Sequence, residues 1–301
     1  MSKLKAWVEA ARLRTLPLSV SGILVGTAIA QSKGFDNPTI FLLALLTTLG
    51  FQITSNFAND YGDGIKGTDN EDRIGPSRAL QSGALSKKEL EWGVGISIII
   101  SLLLAATLLY TAFGTTTPQY LLLFGALAIF SIWAAVRYTV GARAYGYSGL
   151  GDLFVFLFFG LLSVLGSMFL YTKSLHLMAW LPAITIGTLS TAVLNLNNLR
   201  DAGSDIKAGK RTLVVKLGYE NGRYYHAFLI GLALLSLFIY DLQFSTWYAY
   251  LNLIVFIPLG IHLIKVLRVS NPAKLDPELK KLALSTFLLA LLFYFLNNKF
   301  L

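Results

Sequence analysis

The chain has 301 residues, of which 55% are hydrophobic and 14% charged, and a formal net charge of +9; its mean hydropathy is +0.62. Soluble domains carry roughly 25% charged residues, and a soluble fold of this size has nowhere to hide so much apolar surface. The absence of cysteine excludes disulfides, thiolate metal ligands and a cysteine nucleophile.

The apolar residues fall into nine runs, at about 16–31, 38–58, 93–113, 118–137, 151–171, 177–197, 225–241, 246–267 and 281–298. Each approaches the ~20 residues that cross a ~30 Å hydrocarbon core, so the chain reads as an all-α integral membrane protein with nine transmembrane helices. The first run follows Lys3, Lys5, Arg12 and Arg14 and lacks a small-residue cleavage site, which predicts a span rather than a signal peptide. Residues 3–14 fit either an amphipathic helix on the inner leaflet or a polar tail.

With the N-terminus inside and nine alternating helices, Lys33, Lys173 and Lys299 alone of the 25 Lys and Arg residues fall outside. This bias predicts a cytoplasmic N-terminus and an outer C-terminus. It also accounts for the basic charge without a nucleic-acid partner. Trp92, Trp133, Trp180 and Trp247 lie at predicted helix ends, as an interfacial belt requires.

Two of the inner loops repeat one acidic pattern, at 56–83 and 195–218. Asn56 and Asp60 are four apart, as are Asn197 and Asp201. Asp63 and Asp205 follow, then Ile65-Lys66 and Ile206-Lys207, then Gly67 and Gly209. An even number of helices separates the copies, so both reach the same membrane face, as in a parallel internal repeat. The whole chain, 1–301, therefore reads as one transmembrane domain. Positions three and four apart share a helix face, so Asn56, Asp60 and Asp63 can converge, as can Asn197 or Asn198 with Asp201 and Asp205. Clustered carboxylates repel unless a cation neutralises them. Oxygen ligands without His or Cys select Mg²⁺ or Ca²⁺ over zinc. His176, His226 and His262 lie far apart in sequence, which argues against a histidine metal site. Lys66, Arg73, Arg78, Lys207, Lys210 and Arg211 share these loops. Carboxylates, metal and Arg/Lys together suit a diphosphate. Taken singly, either loop is also what an ordinary solvated, positive-inside connector looks like.

A third inner segment, 141–152, holds Arg143, Tyr145, Tyr147 and Asp152 among glycines. It reads as an aromatic-acceptor wall or as a tight turn with interfacial tyrosines.

These residues resemble the UbiA superfamily of intramembrane prenyltransferases. The resemblance rests on NDYGDGIKGTD with DRIGPSRALQSG, on YGYSGLGDLFVFLFFGLLSVLG and on NNLRDAGSDIKAGKRTL, with ARLRTLPLS also fitting. The middle segment and DRIGP are most similar to the branch acting on 1,4-dihydroxy-2-naphthoate. The resemblance implies nine helices around a central cavity, and Mg²⁺ held by Asp60, Asp63, Asp201 and Asp205 against a polyprenyl diphosphate. It implies that Asn56, Asn59 and Asn198 assist, and that Lys66, Arg73, Arg78, Lys210 and Arg14 contact the diphosphate, with Arg143 as the basic residue of the fourth-helix loop. Superfamily members often show Asp-x-x-x-Asp in the first motif. Here Gly64 takes the four-spaced position, leaving Asp63 or Asp69 as the second ligand. The implied reaction prenylates the naphthoate with loss of CO₂ and diphosphate, in a bacterial inner membrane with the site open to the cytoplasm. A 4-hydroxybenzoate or homogentisate acceptor is the alternative within the superfamily. Outside it stand a transporter, which needs a polar path to the short, nearly uncharged outer loops, and a CDP-alcohol phosphotransferase, whose contiguous motif this chain lacks.

Overall fold

The structure is a computed structural model describing residues 2–68, 75 and 78–299. Among these residues every regular element is helical. In chain order the helices are α1 Lys3–Ala11, α2 Leu16–Ser32, α3 Pro38–Lys66, α4 Lys87–Phe113 and α5 Pro118–Arg137. There follow α6 Gly151–Thr172, α7 Leu177–Lys207, the short α8 Leu213–Leu217, α9 Tyr219–Asp241, α10 Trp247–Arg268 and α11 Pro272–Asn298. All nine apolar runs are helical. Eight of the described helices are long and apolar enough to cross a membrane; α2, with 17 residues, is shorter and meets α1 at a 45° bend.

Local chemistry sets the helix ends. Asn37 caps α3 by accepting from the backbone N–H groups of Thr39 and Ile40 at 3.0 and 3.2 Å, and Pro38 supplies a helix-ready φ at the first position. α4 opens with a capping box between Ser86 and Glu89. Residues 3–11 form a helix rather than a tail, with Ala6, Ala10 and Ala11 buried and Trp7 edge-on to Phe57 at 5.1 Å.

α2 packs on α11, α6, α7 and α3, while α7 packs on α6 and α9. Close approach needs small residues, as helices in lipid generally do. A Cβ on Gly160 of α6 would lie 2.5 Å from the Gly187 Cα of α7. Phe156–Gly166 of α6 is wound as a π-helix, a rare geometry that re-aims side chains. It turns Phe158, Phe159 and Leu162 toward a cavity walled by α2 to α7 and α11. The cavity measures about 580 Å³. It runs from Asp63 to Ala44 along α3, about 28 Å at 1.5 Å per residue. One end carries the charged side chains, and the rest is mainly apolar with scattered hydroxyls such as Thr47, Ser163 and Ser190, and with Ala44, Leu108, Leu109 and Leu170 at the far end.

Candidate active site

The two acidic motifs meet at the polar end of this cavity. α3 presents Asn56, Asn59 and Asp63 to it, and α7 presents Asn197, Asp201 and Asp205. Asn56 accepts from Gln52 at 3.1 Å and donates to the Ala11 carbonyl at 2.8 Å. That bond anchors the end of α1, where Arg12 takes a left-handed φ of 53° and joins the cavity wall. The basic N-terminal motif thus delivers Arg12. The side chain of Arg14, like all of Asp69 and Arg73, lies outside the described residues.

Asp60 is turned away from the cavity. Its carboxylate accepts from the backbone N–H groups of Ala79 and Leu80 at 3.1 and 3.4 Å. It therefore secures the loop that returns Arg78 to the cavity wall. Asn56, Asn59 and Asp63 thus line the cavity together, while Asp60, expected to converge with Asn56 and Asp63, accepts from the two backbone donors of the returning loop. Asn198 is buried outside the wall, and its neighbour Asn197 is the amide that faces the cavity. Arg143 is exposed and apart from the cavity, since it sits on the outer side of its turn.

Gly209 has a φ of +70°, which lets the chain fold back after α7. Lys210 consequently lies 3.7 Å from Asp205 and 5.5 Å from the centre of the Tyr147 ring. Burial lowers the tendency of its ammonium to stay charged. The Asp63 and Asp205 carboxylates outweigh this and hold its pKa above the ordinary value. Lys66, exposed at the end of α3, lies 4.0 Å from the centre of the same ring. The Tyr147 hydroxyl donates to Asp63 at 2.7 Å and contacts Thr68. Burial, and then the Asp63 charge, push its pKa up, so it stays a neutral donor. Tyr147→Phe removes a hydrogen bond to a charged group, which contributes about 1.5–3 kcal/mol. We expect kcat/KM to fall on the order of tenfold or more, and the unfolding midpoint in detergent to drop by roughly a few degrees.

Besides Arg12, two residues at this end escaped sequence reasoning, Arg200 and Asp276. Arg200 is 2% exposed. Its Nε and Nη2 donate to both Asp201 oxygens at 2.8 and 2.6 Å, its Nη1 to Asp276 at 2.6 Å, and its Nη2 also to Asn197 at 2.9 Å. Asp276 lies in the second turn of the last helix, far along the chain. An arginine inside NNLRD, at the end of an apolar helix, was the available signal, since such a charge needs a partner.

Next to the polar end stands an aromatic wall. Tyr145 stacks on Phe154 at 4.0 Å and donates to the Ala134 carbonyl at 2.8 Å. Tyr138 and Phe158 complete the wall. Burial pushes the Tyr138 hydroxyl up to about 12.

The donor set at the polar end is carboxylate and amide oxygen, without His or Cys, which suits a hard cation. Among the described residues no three His, Cys, Asp or Glu side chains form a ready metal cluster. Mg²⁺ needs none: it takes one or two carboxylates and fills its other positions with water and substrate phosphate. Asp63 and Asp205 fit that demand.

An all-helical membrane bundle with an acidic, cation-lined end on a deep apolar cavity is the architecture of an enzyme for charged-headed lipids. The sequence model of the UbiA prenyltransferase family matches residues 19–289; the chain belongs to that family. It is 44% identical over 295 residues, 97% of this chain and 95% of the relative, to the 1,4-dihydroxy-2-naphthoate octaprenyltransferase of Haemophilus influenzae. It is 43% identical over 296 residues, with the same coverage, to the same-named protein of Escherichia coli. Among solved structures, a digeranylgeranylglyceryl phosphate synthase superposes with a TM-score of 0.65 at 20% identity, covering 99% of this chain and 100% of that one. A UbiA homolog from Archaeoglobus fulgidus bound to DMAPP and Mg²⁺ superposes with a TM-score of 0.61 at 16% identity, covering 96% and 99%. These superpositions show the fold.

Proposed function

We propose that the chain transfers a polyprenyl group from polyprenyl diphosphate to 1,4-dihydroxy-2-naphthoate, releasing diphosphate and CO₂, in a bacterial inner membrane. The observation that carries this reading is the 44% identity to a naphthoate octaprenyltransferase along nearly the full length of both proteins. The cavity supports it, since a charged end and a long apolar barrel match a substrate with a diphosphate head and an isoprenoid tail.

In this reading Asp63, Asp201 and Asp205 form the acidic face of the diphosphate site, with Asn56, Asn59 and Asn197 beside them. Arg12, Arg78 and Lys210 meet the phosphate oxygens, and Lys66 guards the rim. Mg²⁺, when bound at Asp63 and Asp205, supplies positive charge that shields the departing diphosphate. The allylic C–O bond breaks and diphosphate leaves with the electron pair. A naphthoate ring carbon closes the new C–C bond, the carboxylate departs as CO₂, and its bonding electrons return to the ring. Tyr145, Phe154 and Phe158 offer faces to an aromatic ring and to a developing cation. The apolar wall keeps water from the cation. The bundle is one domain with a pseudo-repeated site. Its nine spans run from a cytoplasmic N-terminus to an outer C-terminus, and the polar end opens to the cytoplasm.

Purified protein incubated with Mg²⁺, a polyprenyl diphosphate and each of two acceptors tests the reading by mass spectrometry. The expected product is a prenylated naphthoquinol lighter by CO₂. Product from 4-hydroxybenzoate alone would keep the family and overturn the acceptor.

A further inference from the structure

α10 and α11 enclose a second groove of about 320 Å³, separate from the main cavity. Glu278, buried at its base, receives two ammonium groups on one oxygen, from Lys281 at 2.5 Å and Lys265 at 3.8 Å. Its other oxygen accepts from His262 Nδ1 at 2.9 Å. That bond places the His262 proton on Nδ1, so its Nε2 is an acceptor. Nε2 of His226, 3.0 Å away, must then donate to it. His226 Nδ1 is left as an acceptor 3.1 Å from the Asn195 amide oxygen. Turning the Asn195 amide brings its Nδ2, otherwise buried without a partner, onto that nitrogen. The two histidines are then hydrogen-bonded at both ring nitrogens while neutral. The groove retains two lysines against one glutamate, an excess of one positive charge.

The surroundings are those of a lipid-facing surface. Ile261 and Leu284 line the groove and are 55% and 42% exposed, while half of each lysine side chain is exposed. On the orientation proposed above, both lysines lie at inner-leaflet depth beside the basic 265–281 segment. A basic pocket between helices at that level suits an anionic headgroup.

We propose that this groove binds one anionic phospholipid of the inner leaflet, its phosphodiester held by Lys265 and Lys281 and an acyl chain lying along Ile261 and Leu284. The site bears on catalysis through α11. Asp276 and Lys280 of its first turns face the main cavity, Glu278 and Lys281 face the groove, and Asp276 is held by Arg200. A lipid that fixes this turn steadies the Arg200–Asp201 pair.

Native mass spectrometry and thermal unfolding of the full chain in detergent, with phosphatidylglycerol, phosphatidylcholine or inorganic phosphate added, test the proposal. Phosphatidylglycerol is expected to be retained at one molecule per protein and to raise the unfolding midpoint by several degrees. Lys265→Gln/Lys281→Gln should lower its retention at least tenfold, and Lys265→Arg/Lys281→Arg should restore it. Lys265→Gln alone, at an exposed position, reports the same direction should the double variant fold poorly. Equal retention of phosphatidylcholine, equal retention by the glutamine variants, or a full shift from inorganic phosphate would each overturn the site.

Discussion

Arg200→Gln is expected to destabilise the protein by about 3–5 kcal/mol and to remove most of its turnover. The guanidinium is buried and bridges Asp201, Asp276 and Asn197. Without it the Asp201 carboxylate, 8% exposed, stays in the wall with its charge uncompensated, the situation that makes breaking a buried pair costly. Asp276 is 37% exposed, so water compensates it and Asp276→Asn costs less. Arg200→Lys keeps the charge but cannot span three partners from one planar fork, and should fall between wild type and glutamine. Denaturant unfolding in detergent, with prenyl transfer measured on the same samples, reads both effects. A glutamine variant that unfolds and turns over like wild type would remove Arg200 from the architecture of the site.

Asp205→Asn is expected to lower kcat by two to three orders of magnitude, on the scale of removing one preorganised electrostatic contact. Asparagine fills the same volume, so unfolding should change little. Asp63→Asn should behave alike, with a further loss through Tyr147, whose hydroxyl then faces a neutral amide. Both substitutions also relieve the field that keeps Lys210 charged. Asp60→Asn works differently. Its carboxylate holds the Ala79 and Leu80 amides, so its loss should loosen the 78–85 loop and raise KM for the diphosphate through Arg78. Steady-state kinetics with varied prenyl diphosphate separate the two classes. Near-normal kcat in Asp205→Asn would sink the assignment of the α7 carboxylate.

The bundle was legible because each apolar run carries its own signal: length and hydropathy are local, and all nine runs are helical. That both acidic motifs reach one cavity was legible from their spacing and from the even number of helices between them. Which side chain of each motif faces inward was not. Spacing of three and four residues puts Asp60 and Asp63 near one face, and the choice between them was made by a loop arriving from 78–85. The same holds for Asn197 over Asn198, where Arg200 draws the former. The Arg200–Asp276 bridge joins α7 to α11 and leaves no local periodicity to read. His226 and His262, far apart in sequence, meet at 3.0 Å for the same reason: tertiary packing joins what periodicity cannot.

The most direct test of the central claim, that the polar end of the cavity is a metal-dependent diphosphate site, is calorimetric titration of the purified protein with a non-ionising prenyl thiodiphosphate. The titration is run with Mg²⁺ and with chelator, for wild type and for Asp63→Asn/Asp205→Asn. Micromolar binding that needs Mg²⁺ and is lost in the double variant is the predicted result. Binding of equal strength in chelator, or in a folded double variant, would contradict it.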